Sequence, residues 1–295
     1  MEPKVGIVIV NYNGEKYQNK CIESIYGLEY SNMEIVVVDS CSKDNSIKKL
    51  RDSFPEVVVL EQVENVGVAK GNNIGIQYCL KQDVEYVLLL NNDVELDSML
   101  LVNLMKEAGE RIVTVPKIYY YEPKDLIWFA GGDMRWDKGE SNHIGIGEYD
   151  RGQYGQKKEV NYASTCCMLI HRSIFEQIGL IDETVFMYFD DTDFCVRLID
   201  EGYTILFVPD AKMWHKVSGS AGADSKIQVY YNTRNKFYFM KKYKDRLKLS
   251  AYFFTYSKLL VKFLISPIYK KNDRYIARAY YDFRKGIMGR REWKN

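Results

Sequence analysis

The chain has 295 residues and is 46% hydrophobic and 27% charged, an ordinary globular balance that suits one large α/β domain with or without an appendage. Its six cysteines include no Cys-x-x-Cys pair, which argues against a disulfide framework or a zinc site and for a reduced, cytosolic protein. The net charge is +1, but segment 241–295 is basic and rich in Tyr and Phe, so the remainder is acidic. Lys4 is followed directly by the strand-like segment 5–10, so we expect no cleavable signal peptide.

The first half of the chain is predicted to alternate strands with helices. Apolar runs predict strands at 5–10, 34–38, 56–60 and 85–90, and helical spacings predict helices at 16–28, 44–54 and 66–80. Asp44 is a candidate cap for the second helix. This order predicts a parallel sheet with helices on both faces.

The second half is less regular. Predicted strands lie at 112–116, 160–163, 166–170 and 204–208, and predicted helices at 191–201 and from 226 onward. Segment 131–155 is rich in Gly, Asp and Lys and is interpreted as a loop or hairpin region. Ser173 and Glu176 have the spacing of a capping box, so a further helix is predicted to start at Ser173.

A polar triplet, Asn91-Asn92-Asp93, directly follows the apolar run 87–90. A short, fully apolar run is typical of a strand buried on both faces, and ligands of open α/β sheets bind beyond the carboxyl ends of such strands. A carboxylate there suits a divalent cation held against phosphates. Asn and Asp are also common turn residues, so the triplet alone leaves a turn as an equal alternative.

Two more strands end in residues that suit a nucleotide. Tyr12 follows the first strand and could stack on a nucleobase, and Asp39 follows the second, where a carboxylate can accept a hydrogen bond from a base or ribose. A cap or turn is the structural alternative for Asp39. Neither a Gly-x-Gly-x-x-Gly motif nor a Gly-Lys-Ser/Thr motif is present, which argues against a dinucleotide fold and a P-loop.

Three acids, Asp190, Asp191 and Asp193, follow an aromatic run. Repulsion between Asp190 and Asp191 would raise the pKa of one of them and suit a general base, although acids also favour a helix start. A histidine that stands alone in a sequence is usually structural or exposed. The candidate metal site at Asp93 makes His215 a candidate further ligand of that metal. Lys216 and the turn at 218–220 are candidate phosphate contacts.

The basic tail contains an apolar stretch, 252–269, that is broken by Lys258, Lys262 and Pro267. It is too short and too charged for a confident membrane span. Lys258 and Lys262 share one helix face, as in a helix that lies in a membrane surface. A helical subdomain packed on the body and a dimer contact remain the alternatives.

Taken together, the motifs resemble the inverting family-2 glycosyltransferases with a GT-A fold, and most closely a rhamnosyltransferase-like branch. The matching segments are 5–13, 36–40, 65–67, 71–75, 89–94, 178–183, 188–191, 214–215 and 230–235. The resemblance implies a Rossmann-like, mixed but mostly parallel α/β sheet with helices on both faces, plus a C-terminal helical extension. We expect a GT-A domain over 1–240, with a nucleotide-binding half (1–110) and an acceptor-binding half (111–240), and a basic aromatic extension over 241–295.

The resemblance also implies residue roles. Asn91-Asn92-Asp93 is similar to the family's Asp-x-Asp metal motif, with Asn91 in place of the first acid. Asp93 and His215 are the implied ligands of Mn²⁺ or Mg²⁺, and the donor diphosphate completes the shell. The implied nucleotide-binding residues are Val10, Tyr12, Asp39, Asn72 and Asn92. Asp190-Asp191 is similar to the family's Glu-Asp pair, so Asp191 is the implied catalytic base and Asp190 stands in the Glu position.

The function expected from the resemblance is metal-dependent, inverting sugar transfer in cell-surface polysaccharide synthesis. The donor would be dTDP-rhamnose or a UDP-sugar, and the acceptor a glycan or a lipid-linked glycan. A nucleotidyltransferase and a non-catalytic membrane-surface scaffold are the alternative functions. We expect a cytoplasmic protein, either free or peripheral on the inner face of the plasma membrane, with a homodimer as a further option and no nucleic-acid partner.

Overall fold

The protein is described by a computed structural model that covers residues 2–216, 226–269 and 273–292. The strands of this part are β1 Val5–Asn11, β2 Met33–Asp39, β3 Val58–Glu61, β4 Tyr86–Leu90, β5 Val94–Leu96, β6 Ile112–Tyr120, β7 Ile127–Phe129, β8 Gly132–Arg135, β9 Glu140–His143, β10 Lys158–Val160, β11 Cys167–His171 and β12 Thr204–His215. The helices are α1 Gln18–Tyr26, α2 Ser46–Ser53, α3 Gly67–Leu80, α4 Leu100–Met105, α5 Arg172–Ile178, α6 Asp190–Asp200, α7 Lys226–Lys242, α8 Leu249–Tyr269 and α9 Asp273–Arg284.

One mixed sheet forms the centre of the fold. Its strand order is β10-β12-β6-β11-β4-β1-β2-β3, with β5 paired to β12 and β7 paired to β6. Strands β3, β2, β1 and β4 are mutually parallel, whereas β11 is antiparallel to β4. The predicted mixed α/β fold is therefore confirmed. Because the parallel strands end at one edge, the polar residues that follow them meet there.

Helix α3 packs very closely on β1 because glycines face the strand. A Cβ atom on Gly75 would overlap the side chain of Val8, and one on Gly71 would lie 2.8 Å from Val10. At the start of the helix, Gly67 has φ of +78°, and the N–H of Val68 donates to the carbonyl of Phe186 at 2.9 Å. This hydrogen bond joins the start of α3 to the segment that precedes Asp190.

Several local predictions were wrong. Strand β12 does not end at residue 208 but continues through a bulge between Val208 and Lys212 to His215. The bulge accommodates Pro209, which lacks an N–H for the ladder. Helix α5 begins before Ser173, because the His171 side chain accepts from the Ser173 N–H and serves as its cap. Strand β5 and helix α4 had no counterpart in the sequence prediction, since both are too short to show a period.

The C-terminal helices pack on the body, which was one of the predicted alternatives. Helix α7 packs against α9, and the fully buried Arg234 donates to the carbonyl of Gly289 at 2.8 Å. Near the start of α8, the Ser250 hydroxyl donates to the carbonyl of Asp137 at 2.9 Å. Within the described residues, no helix has the length and apolarity needed to cross a membrane. The domain boundary at 240 stays a prediction.

Candidate functional site

A buried amide, Asn11, connects the ends of the parallel strands. Its Nδ2 donates to Asp39 Oδ1 at 2.9 Å and to Ser46 Oγ at 3.0 Å, while its Oδ1 accepts from Asn92 Nδ2 at 2.9 Å. Gly14 lies against this junction, and a Cβ atom there would overlap both amides. Asn11 therefore fixes two predicted nucleotide-binding residues, Asp39 and Asn92, relative to each other.

The remaining predicted nucleotide-binding residues lie at the same edge of the sheet. Tyr12 is 42% exposed, so part of this residue is accessible to a ligand. Val10 packs against Gly71 of α3, and Asn72 follows Gly71 within the same helix and is buried. Asp39 is also buried, and its carboxylate accepts from the Ser42 hydroxyl at 2.6 Å and from the Ser42 N–H at 3.0 Å. Direct nucleotide contact by these residues stays a prediction.

Asp93 and His215 come together because β5 pairs with the end of β12. In that antiparallel pairing Val94 stands opposite His215. His215 Nε2 lies 3.1 Å from Asp93 Oδ1 and 3.4 Å from Asn91 Nδ2, and both predicted metal ligands are buried. The other ring nitrogen, Nδ1 of His215, is enclosed and has no hydrogen-bond partner among the residues that the structure describes.

One carboxylate and one imidazole fit a divalent cation that a bound diphosphate also ligates. Within the described residues, no group of three or more His, Cys, Asp or Glu could hold a metal. The described part of the chain offers Asp93 and His215 as candidate ligands here, and further ligands would have to complete the shell of a metal ion. Lys216 lies next to the pair, with its N–H donating to the carbonyl of Asp93 at 2.9 Å. The predicted phosphate-binding turn at 218–220 lies outside the described residues.

Asp190 and Asp191 begin helix α6. Burial, followed by the negative charge of Asp191, raises the pKa of Asp190. Burial also raises the pKa of Asp191, and hydrogen bonds from Tyr162 and Thr192 oppose that rise. The Tyr162 hydroxyl donates to Asp191 Oδ2 at 2.9 Å, and the Thr192 N–H donates to Oδ1 at 2.7 Å. This carboxylate is held in one orientation and has the raised pKa that suits a general base.

The two residues before this pair are held in a left-handed conformation. Tyr188 has φ of 65° and Phe189 has φ of 68°, which non-glycine residues rarely adopt. Asn235 of α7 is fully buried, and its Nδ2 donates to the carbonyls of Met187 at 2.8 Å and Tyr188 at 3.1 Å. Asn235 thus stabilises the turn that orients Asp191.

A row of rings connects Asp93 and His215 to the candidate base, Asp191. The Trp128 ring meets the His215 ring edge to face at 4.7 Å and the His143 ring at 4.4 Å. His143 in turn stacks on Tyr162 at 5.8 Å, and Tyr162 bonds to Asp191. The structure therefore brings Asp93, His215 and Asp191 into one continuous site.

Sequence reasoning missed five residues that build this site: Asn11, Trp128, His143, Tyr162 and Asn235. Asn11 carried a signal, because it is a polar residue at the end of a buried strand. Asn235 lies in the matching segment 230–235 but received no role. Trp128, His143 and Tyr162 carried no signal, because their hydrogen-bond partners are 15 and 29 positions away in the chain. Contacts at such separations depend on the tertiary fold.

The sequence matches the family model described as glycosyl transferase family 2 over residues 6–179, more than half of the chain. The low-salt glycan biosynthesis hexosyltransferase Agl10 of Haloferax volcanii is 29% identical, over 97% of this chain and 92% of that protein. The dTDP-rhamnosyl transferase RfbF of Shigella flexneri is 27% identical, over 98% of this chain and 97% of that protein.

Solved structures show the same fold. GalNAc-T7 with UDP, GalNAc and Mn²⁺ aligns with a TM-score of 0.67 at 18% identity, over 96% of this chain, which spans 57% of that chain. The mannosyltransferase PcManGT from Pyrobaculum calidifontis with GDP-Man and Mn²⁺ aligns with a TM-score of 0.59 at 14% identity, over 97% of this chain and 76% of that chain. The chain belongs to glycosyl transferase family 2 and has the GT-A fold.

Proposed function

We propose that this glycosyltransferase is metal-dependent and inverting and acts in cell-surface polysaccharide synthesis. Its donor is dTDP-rhamnose or a UDP-sugar, and its acceptor is a glycan or a lipid-linked glycan. The main support is the continuous site in which the Asp93–His215 pair and Asp191 stand at the two ends of one row of rings. The names of the relatives, a dTDP-rhamnosyl transferase and a glycan-synthesis hexosyltransferase, favour this donor and acceptor class.

In the proposed reaction Asp93 and His215 would hold Mn²⁺ or Mg²⁺. A metal ion bound there would stabilise the negative charge that develops on the leaving diphosphate. Asp191 accepts the proton of an acceptor hydroxyl as that oxygen attacks the anomeric carbon, and a single in-line displacement inverts the configuration there. Tyr162 and Thr192 fix the carboxylate of Asp191 by hydrogen bonds.

The nucleoside is proposed to bind at the ends of β1 and β2. Tyr12 supplies an exposed ring, and the buried carboxylate of Asp39 is oriented by Asn11. Val10, Asn72 and Asn92 line the approach to the diphosphate from β1, α3 and β4. This arrangement is supported by the common edge at which these elements end.

The proposal is tested by screening nucleotide sugars for thermal stabilisation with and without Mn²⁺, followed by transfer assays with the best donor. Asp191→Asn should bind the donor like the wild type and lose transfer by at least about 1,000-fold, as expected for removal of a base. Asp200→Asn, an exposed position on the same helix, is the matched control. Near-normal turnover of Asp191→Asn would contradict the assignment, and release of pyrophosphate would indicate a nucleotidyltransferase instead.

The C-terminal extension is proposed to dock on an anionic membrane surface at the cytoplasmic face. Leu249, Phe253, Tyr256 and Leu260 lie on one face of α8 and are 85%, 78%, 48% and 60% exposed. Such a row of apolar side chains at helical spacing fits insertion into the lipid headgroup region.

Lysines surround Phe254, the residue that follows Phe253 in α8. The ammonium groups of Lys138, Lys236 and Lys258 lie 5.2, 5.2 and 4.2 Å from the ring centre of Phe254. Glu140 pairs with Lys236 at 2.7 Å. The surplus of positive charge next to exposed apolar side chains complements anionic headgroups.

Vesicle sedimentation tests the membrane proposal. The double variant Phe253→Ser/Leu260→Ser should lose at least about tenfold in affinity for phosphatidylglycerol vesicles, because two exposed apolar side chains no longer insert. Ile146→Ser, a substitution at another exposed apolar residue, is the control. Unchanged binding of the double variant would refute docking through this face.

A further inference from the structure

Two residues in the middle of the row of rings, Trp128 and His143, carry no assigned role. Trp128 comes from β7 and His143 ends β9, so two different strands bring them together. Their rings meet edge to face at 4.4 Å. Unlike its buried neighbour Phe129, Trp128 remains partly exposed.

The chemistry of His143 is fixed by its surroundings. Its Nδ1 lies 3.1 Å from the carbonyl oxygen of Trp128, and because a carbonyl only accepts, Nδ1 must carry the hydrogen. Burial lowers the pKa of His143 to about 4, so the ring is neutral at physiological pH. Nε2 therefore carries a lone pair. Within the described part of the chain no protein group bonds to Nε2, and this atom is not enclosed.

The position of these two groups decides what they can meet. Trp128 contacts His215, which belongs to the pair proposed to hold the metal ion that binds the donor diphosphate. His143 stacks on Tyr162, which bonds to the candidate base Asp191. In a displacement at the anomeric carbon, the group that bridges diphosphate and base is the donor sugar. A donor sugar that bridges the two would lie along this stretch of the site.

We propose that Trp128 and His143 form the subsite for the donor sugar, an inference that rests on the proposed function. The exposed part of the indole packs on the C–H face of the sugar ring. The Nε2 atom of His143 accepts a hydrogen bond from one sugar hydroxyl. A neutral acceptor at a fixed place discriminates sugars by the presence and orientation of that hydroxyl, because a missing partner leaves Nε2 unpaired.

The test measures how much the sugar adds to nucleotide affinity. Calorimetry in the presence of Mn²⁺ gives the Kd of a nucleotide sugar and of its nucleoside diphosphate, and their ratio reports sugar contacts alone. The sugar-dependent gain is the Kd of the nucleoside diphosphate divided by the Kd of the nucleotide sugar. Trp128→Leu and His143→Phe should each lower this gain by about tenfold, which is the effect of one contact of roughly 1.4 kcal/mol. The Kd of the nucleoside diphosphate should stay within about twofold.

Matched variants separate recognition from folding. Trp136→Leu removes an indole stacked on Phe239, away from this subsite, and should leave the ratio unchanged. Trp128→Tyr and His143→Gln retain a ring and an acceptor, and should recover part of the sugar-dependent gain.

An unchanged ratio in both Trp128→Leu and His143→Phe would overturn the subsite. An equal loss of affinity for the nucleotide sugar and for the nucleoside diphosphate would also overturn it, because it would mean that Trp128 only supports His215. If the wild type binds no nucleotide in a metal-dependent way, the proposed function itself fails, and the subsite fails with it. That outcome is distinguishable because it appears in the wild-type protein before any substitution is made.

Discussion

Replacement of Asn235 by alanine tests whether the turn before Asp190 is held by α7. Nδ2 of Asn235 donates to two carbonyls, at 2.8 and 3.1 Å, and each such bond contributes about 1 kcal/mol. Tyr188 and Phe189 are both in the left-handed region, which costs roughly 1 to 2 kcal/mol per residue. The free energy contributed by the two hydrogen bonds is therefore similar to the free-energy cost of the two left-handed residues. Loss of both bonds should let the turn relax.

Relaxation would move the candidate base. We expect Asn235→Ala to lose about 1 to 3 kcal/mol in the free energy of unfolding. A displacement of Asp191 by about 1 Å should lower kcat by on the order of 100-fold. The Kd of the nucleotide should stay unchanged, because the nucleotide-binding residues lie on other elements. Urea denaturation, transfer kinetics and calorimetry measure the three quantities.

Two further variants make the reasoning refutable. Asn232→Ala removes an amide one turn earlier on α7 and should leave kcat intact. Tyr188→Gly relieves the left-handed strain, so in the Asn235→Ala background it should recover part of the lost kcat. A kcat within twofold of the wild type in Asn235→Ala, at the expected loss of stability, would show that the two bonds do not position the base.

Three other predictions concern the metal, pH and the strand ends. Asp93 is the one charged residue of the triplet 91–93. Isothermal titration should therefore show weak Mn²⁺ binding in the nucleotide-free protein and much tighter binding with a nucleoside diphosphate. Tight Mn²⁺ binding to the nucleotide-free protein would contradict this. Burial and the charge of Asp191 raise the pKa of Asp190. The native state therefore holds a proton that the unfolded state releases at lower pH, and stability should fall as pH rises from about 4 towards neutrality. Asp190→Asn should flatten that slope in urea titrations, and an unaltered slope would refute the cause. Gly14→Ala should separate the Asn11 and Asn92 amides. It should lower the free energy of unfolding, measured by urea denaturation, by about 1 to 3 kcal/mol and weaken nucleotide binding at least about tenfold. Wild-type values of both quantities would show that the junction adapts.

The regular strands were predictable because their signal is local. Strands β1, β2 and β4 are continuous apolar runs, and each was placed within one or two residues. The long strand β12 was not, because Pro209 interrupts its pattern although the chain continues through a bulge. The capping-box prediction at Ser173 failed because His171, two residues earlier in the chain, caps the helix by accepting from the Ser173 N–H.

The sequence by itself determined the fold class, the family resemblance and the acids at strand ends and helix starts, because apolar periodicity and short motifs act within one element. Only the tertiary structure decided how those residues combine. The pairing of β5 with β12 brings His215 to Asp93, the packing of α7 holds the turn before Asp191, and strands β7 and β9 bring Trp128 to His143. Each of these contacts joins residues 15 or more positions apart, so its geometry depends on the register of the sheet and on side-chain packing rather than on any local pattern.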